Sequence, residues 1–263
     1  PPAQRYRQRM TQILRGLGTA AVAVALVGAG AGCHSGGSEP SASSTTGAAS
    51  ASSAANSPAA EPFTGYLEPV GGTKDNITYQ VDLPQVRGGD TAVREKFNSS
   101  MRTALDDYLE PDESRSTTVA PGALVDDHKS AVTHVGPGSV AGVLIMNIFV
   151  ERSAHPFNTV STVVIDAHTA APIMLSDLFT DPEAGMTKLV DGIKTAMAKD
   201  PRLENQDAPK PVADQLANWL PGADGLVVYL SVAHVFGDYF PVTVPWASIA
   251  DVLAPGMQEK LTT

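Results

Sequence analysis

Cysteine is nearly absent from this 263-residue chain, with Cys33 the only one. An intrachain disulfide is therefore excluded, and the fold must be held by its core. Basic residues are scarce as well. From Phe63 to Thr263 there are 26 acidic residues against 14 basic ones, a net charge of −12. That balance excludes nucleic acid as a partner, because such binding rests on Lys and Arg against phosphates. It also disfavours adhesion to anionic lipid. An acidic surface of this kind keeps an exported protein soluble and is compatible with a basic envelope or host protein as partner. The usual chemical signatures are missing too. There is no H-E-x-x-H, H-x-x-x-H or cysteine cluster, so no metal site and no cofactor are expected. Glu110, Asp112 and Glu113, with Asp126 and Asp127, lack the Asp-x-Asp-x-Asp-Gly spacing of a calcium loop and read as solvated loop charge.

The N-terminus is richer in signal. Arg5, Arg7, Arg9 and Arg15 precede an uncharged, mostly apolar stretch from Gly16 to Gly32, and Cys33 follows it directly. A positive region, an apolar region and small residues at the cut describe a secretory signal. Residues 1–32 are assigned to it, with Met10 offering a more compact start. A cysteine just past the cut can take diacylglycerol on its sulfur, so Cys33 is the expected lipidation site and the membrane the expected anchor. Ala29-Gly30-Ala31 also reads as an ordinary cleavage site, and cleavage there would release a secreted protein with a free thiol. Residues 34–62 hold nine Ser and eight Ala among 29 positions. Such a composition buries no core. With Cys33 it is expected to form a flexible tether, 33–62, of about 30 Å r.m.s. reach.

Residues 63–263 are enough for one large domain, or for two subdomains divided near 136–140. Ile77, Tyr79, Val81 and Leu83 alternate with polar partners, which predicts a strand over 76–83 ended by Pro84. Asp90 is placed as the N-cap of a helix to about Leu109, its apolar stripe running through Val93, Phe97, Met101, Leu105, Tyr108 and Leu109. Glu110-Pro111-Asp112 should stop it. Strands are predicted over 130–135 and 140–151, separated by Gly136-Pro137-Gly138. The nearly continuous apolar run from Val143 to Val150 marks a central strand. A strand over 158–166 precedes a turn at His168-Thr169. Pro182 opens a second helix through Met186, Leu189, Val190, Ile193 and Met197, and Pro211 a short third one ending near Leu220. Asp224-Gly225 turns into strands over 226–232 and 240–244, and a short helix over 246–253 closes the chain. Strands cluster and helices do not alternate with them. The expectation is α+β, mainly antiparallel, with two to three packed helices; no repeat is evident.

The order of these segments resembles a known family. The resemblance covers most of Asn76 to Leu253. It rests on the strand ending Leu83-Pro84 and the helix with Phe97-Asn98, then on Ala154-His155-Pro156 and a strand leading to Pro172-Ile173. Leu175-Ser176-Asp177-Leu178-Phe179 follows, then Asp224-Gly225-Leu226 and Val242-Thr243-Val244-Pro245. This arrangement is similar to the extracytoplasmic domain of RsiV-type anti-sigma factors, and to the mycobacterial secreted immunogenic proteins sharing it, some described as esterase-like. The resemblance implies an actinobacterial cell-envelope domain that works by binding. Ser231 to Asp238 departs from the family's usual loop, so a relative's contact there does not carry over. Sigma-factor control is not implied.

Six histidines invite inspection. His34 is in the tether, and His128 and His134 would share a face if one strand held both. His155 is expected to hydrogen-bond its own loop, with Pro156 fixing the chain direction. Its catalytic alternative is a general base in a cell-wall serine carboxylesterase acting on short acyl esters, with Ser139 or Ser161 and Asp166. G-x-S-x-G is absent, and Ser139 sits in Gly136-Pro137-Gly138-Ser139, a turn signal. No catalytic residue is therefore assigned. Trp219, Phe236, Tyr239, Phe240 and Trp246 are expected in the core, with Phe236 and Tyr239 flanking a Gly237-Asp238 tip. The leading expectation is a monomeric, lipid-anchored binding domain outside the cytoplasm.

Overall fold

The computed structural model describes residues 61–110 and 115–263. The expected signal, Cys33 and nearly all of the tether, as well as Asp112 and Glu113, lie outside the described residues. The architecture of the described residues is α+β: a six-stranded, mainly antiparallel sheet, a three-stranded antiparallel sheet and four α-helices. Among the described residues, no helix is long and apolar enough to cross a membrane.

The large sheet begins with a hairpin of β1 (Thr64–Lys74) and β2 (Ile77–Arg87), paired along their whole length. The sequence reading missed β1. Pro69, Gly71 and Gly72 interrupt its pattern, and most of its residues are exposed. Pro84 does not end β2. On its second side β2 is paired only from Ile77 to Tyr79, with β3 (Thr117–Pro121), so Pro84 lies where that side is unpaired and a missing N–H is tolerated. The β2–β3 pairing is the one parallel pairing among the described residues.

The connection between β2 and β3 carries α1 (Thr91–Asp106). Asp90 caps it, its Oδ1 accepting from the N–H of Ala92 at 2.9 Å and of Val93 at 3.1 Å. Val93, Phe97, Met101 and Leu105 are buried, and Tyr108 and Leu109 are buried in the turn beyond the helix. The helix seats on β5 (Ser139–Val150) at Gly142. A Cβ there would come 2.9 Å from the Phe97 ring and 3.1 Å from Met101 Cε. Only glycine allows this close approach.

β5 is the central strand. β6 (Phe157–Asp166) pairs with it from Ser139 to Ile148. Its other edge is shared by β3, against residues 146–150, and β4 (Ala131–Val135), against residues 140–143. Ile145 falls at the gap between these two partners. Ser130 fills it: its Oγ accepts from Ile145 N–H at 2.8 Å and donates to Ile145 C=O at 3.1 Å. The Gly122 N–H also reaches that carbonyl, at 3.0 Å. The side chain thus replaces one rung of the ladder inside the core. Although β1 and β4 are the two ends of the sheet path, they meet: a Cβ on Gly65 would lie 2.6 Å from Val132 Cβ.

The second core holds Ala141, Val143 and Ile145 of β5 together with α2 (Pro182–Met197) and the small sheet of β7 (Trp219–Pro221), β8 (Gly225–Ser231) and β9 (Tyr239–Pro245). Asp181 caps α2, and Leu189, Val190, Ile193 and Met197 are buried as the spacing required. Two expectations change here. No helix runs from Pro211 to Leu220; a short 3₁₀ turn at Ala213–Gln215 is followed by strand, because Trp219 pairs with Val228 and its N–H donates to Thr162 Oγ1 at 3.2 Å. The closing helix α3 spans only Trp246–Ile249, since Leu253 then bridges to Phe179. A further helix, α4 (Met257–Thr262), was not anticipated.

Phe97→Ala should cost about 3–5 kcal/mol in chemical denaturation, because its ring fills the space Gly142 leaves. Ser130→Ala should cost about 1–3 kcal/mol, since it leaves the buried N–H of Ile145 without its acceptor.

Candidate functional site

The residues of the conceivable triad are not brought together. Ser139 and Asp166 are cross-strand partners at one end of the β5–β6 hairpin, and His155 lies beyond the other end, past the Ile148–Phe157 pair. The 10-residue β6 alone separates them by about 30 Å. Ser139 is 0% exposed and its hydroxyl has no hydrogen-bond partner among the described residues. Ser161 is 1% exposed, and its neighbour is a tyrosine. Burial pushes the Tyr108 phenol well up, Tyr239 adds to that push, and the Ser161 and Thr159 hydroxyls act in the opposite direction. A serine nucleophile needs a base in hydrogen-bond reach and access for its substrate. Neither Ser139 nor Ser161 has both.

Asp166 has a structural task. Its Oδ1 accepts from the N–H of His168 at 2.8 Å and of Thr169 at 3.0 Å, which makes the expected turn. Its Oδ2 pairs with Lys260 Nζ of α4. Burial alone would raise its pKa, but the Lys260 ammonium and the two N–H donors overcome this and hold it at about 2. Two of the loop acids, Asp126 and Asp127, are ion-paired. Asp126 and Asp200 flank the Arg202 guanidinium, at 3.1 and 2.7 Å, and Asp127 pairs with Lys129 at 2.8 Å. Arg202 in turn lies 4.8 Å from the centre of the Phe240 ring. Among the described residues, no group of three or more His, Cys, Asp or Glu side chains is placed to hold a metal ion. His128 is in the turn before β4, and His134 is on β4 after a bulge, so they do not share a strand face. Trp219, Phe240 and Trp246 are core residues; Phe236 and Tyr239 are half-buried at the loop.

Two surface features remain. One is a groove of about 350 Å³ between β1 and β4, lined by Gly65 to Leu67 and Ser130 to Val135. Tyr66, Leu67 and Val135 are exposed there. His134 projects from this region, its basicity lowered by burial despite a contact with the Thr263 backbone. The other feature is a polar junction where the β8–β9 loop meets the β5–β6 hairpin. The rings of His155 and His234 stack, with centroids 3.6 Å apart and planes 13° from parallel. His234 Nδ1 lies 3.0 Å from Asp238 Oδ1, and Asp238 Oδ2 accepts from the Asn158 N–H at 2.8 Å. Asn158 Nδ2 donates to the Gly237 carbonyl at 3.1 Å, while its Oδ1 accepts from Asn147 Nδ2, also at 3.1 Å. Gly237 and Asp238 both have positive φ, 92° and 71°, which brings the carboxylate onto β6. The sequence reading placed His155 in a loop and Gly237-Asp238 at a tip. It missed that they meet.

No family model and no curated protein matches the sequence. The fold is shared with a crystal structure of a DUF3298 family member from Bacteroides fragilis. That likeness has a TM-score of 0.52 at 15% identity and covers 77% of this chain and 99% of that one. A DUF3298 family protein from Pseudomonas aeruginosa is also similar, with a TM-score of 0.48 at 10% identity over 75% of this chain and 96% of that one. The structural neighbours are thus members of a domain family of unknown function.

Purified protein should show no serine-dependent turnover of p-nitrophenyl acetate or butyrate. Robust hydrolysis lost in Ser139→Ala, Ser161→Ala or His155→Ala would restore the esterase reading, since one essential group removed abolishes nearly all activity. For Asp166, the depressed pKa gives stability that is full above the ordinary 3.8 and is lost as pH falls towards about 2. Acid titration of Asp166→Asn, followed by circular dichroism, should show a lower plateau and a flatter decline over that interval.

Proposed function

We propose that residues 63–263 form a non-enzymatic binding domain, displayed outside the cell membrane on the 33–62 tether by a lipid on Cys33. The observation that carries the binding reading is the open edge of β1 beside β4. Among the described residues β1 pairs on one side only, and its Tyr66 and Leu67 stand exposed in the groove. An extended segment of a partner can add to such an edge, main-chain bonds giving affinity and alternate side chains giving selectivity. Pro69 lacks an N–H and interrupts the edge, and the groove lies on its Thr64–Glu68 side. The net charge of −12 favours a basic segment. This reading follows the resemblance to RsiV-type extracytoplasmic domains, whose anti-sigma branch works by binding.

A photo-crosslinking residue at Leu67, used in intact cells, should form adducts with a discrete envelope component; the same residue at exposed Asp214, outside the groove, should not. Absence of any adduct from position 67 counts against the binding site. Anchoring is tested separately: the wild type should partition into the detergent phase and Cys33→Ala into the aqueous phase. Wild-type protein found in the aqueous phase would refute the lipid.

A further inference from the structure

We infer that the His155–His234 stack is an acid-sensitive clasp between the two sheets. His155 belongs to the loop joining β5 to β6 in the large sheet, and His234 to the loop joining β8 to β9 in the small one. Their rings are in face-to-face contact at 3.6 Å. Stacking of this kind is favourable while at least one ring is neutral. Histidine is the side chain on which acid places a positive charge closest to neutrality, and here two imidazoles lie face to face. Two cations at van der Waals separation repel.

The surrounding charges do not cancel that repulsion. Asp238 faces the Nδ1 of His234 and offsets one positive charge. On the His155 loop, Glu151 is engaged by Arg152 at 3.7 Å, so that pair contributes no net charge. His155 uses its own Nδ1 locally, 2.9 Å from the Pro156 carbonyl. From the 201–207 segment it is neutral Gln206 that meets the loop, its Oε1 accepting from the Ala233 N–H at 3.1 Å, with Glu204 and Asp207 near it in the chain. Tyr239, which starts β9, interacts with buried Tyr108. Among the described residues no carboxylate pairs with His155, so the second positive charge has no partner at the stack. The Asp238–Asn158 bond does not need either ring charged, so the loops part at the histidines while the sheets stay joined at Asn158. What opens is the tip that carries Phe236 and Val235, the latter already 81% exposed.

Hydrogen-exchange protection factors, corrected for intrinsic rates, test this on the intact chain at about pH 7.5 and about pH 5. In wild type, protection over 151–157 and 233–237 should fall about tenfold at the lower pH, while β5 keeps its protection. His155→Phe preserves an aromatic face without a titrating charge, and in this variant the fall should vanish. Unchanged wild-type protection would overturn the proposal, as would a fall that persists in His155→Phe or one that β5 shares.

Discussion

Everything in this domain is arranged around a strand that has no exposed side. β5 is buried almost throughout, with Ala141, Val143 and Ile145 in one core and Gly142 under Phe97 and Met101 on the opposite face. Its hydrogen-bonding edges are as crowded as its faces. β6 covers one edge, and the other is too long for either β3 or β4 alone. Where two partners share an edge, one rung is orphaned. Leaving a buried N–H and C=O unmet costs several times what a typical net hydrogen bond contributes. Ser130 meets both with one hydroxyl, as the acceptor for the N–H and as a donor that shares the carbonyl with the Gly122 N–H. A polar residue in the middle of the core is thus a requirement of the topology.

The split edge also explains the surface. Because β3 and β4 lie end to end on β5, β4 comes up to the β1–β2 hairpin and touches β1 at Gly65 without pairing with it. The missing pairing leaves β1 exposed beside a groove, with Pro69 interrupting its edge. An edge left partly open in this way is both a hazard of aggregation and a place for a specific partner, and the proline narrows the first without removing the second.

Much of this was readable from the sequence where a residue's environment is set by its near neighbours. The Asp90 cap, the Phe97 stripe, the α2 stripe and the burial of β5 follow from periodicity and capping. β1 was not readable, because an exposed edge strand has no buried face to impose alternation, and its Pro and Gly read as loop. The span from Pro211 to Leu220 was misread because its last residues answer to Val228 and Thr162, and tertiary pairing outweighs local propensity. The His155–His234–Asp238 junction was invisible for the same kind of reason: the Asn158–Asp238 bond spans 80 positions. The one local signal was Gly237-Asp238, a turn pair whose left-handed backbone is what aims the carboxylate.

The β5–β6 hairpin is pinned at both ends, and the two pins differ in chemistry. At the Ser139–Asp166 end the lock is a carboxylate held at about 2 by Lys260 and two N–H donors, so it stays charged until the medium is strongly acidic. It ties α4 to the sheet and has no reason to yield. At the other end the lock is a pair of stacked imidazoles, the side chain best suited to respond to mild acid. A designer wanting only stability would have used the first kind twice. Asp166, the acid once drawn into a triad, is the fixed pin, and His155, drawn as its base about 30 Å away, is part of the yielding one. The two ends of one hairpin thus answer to different ranges of pH, and the loops at the histidine end are the ones free to respond.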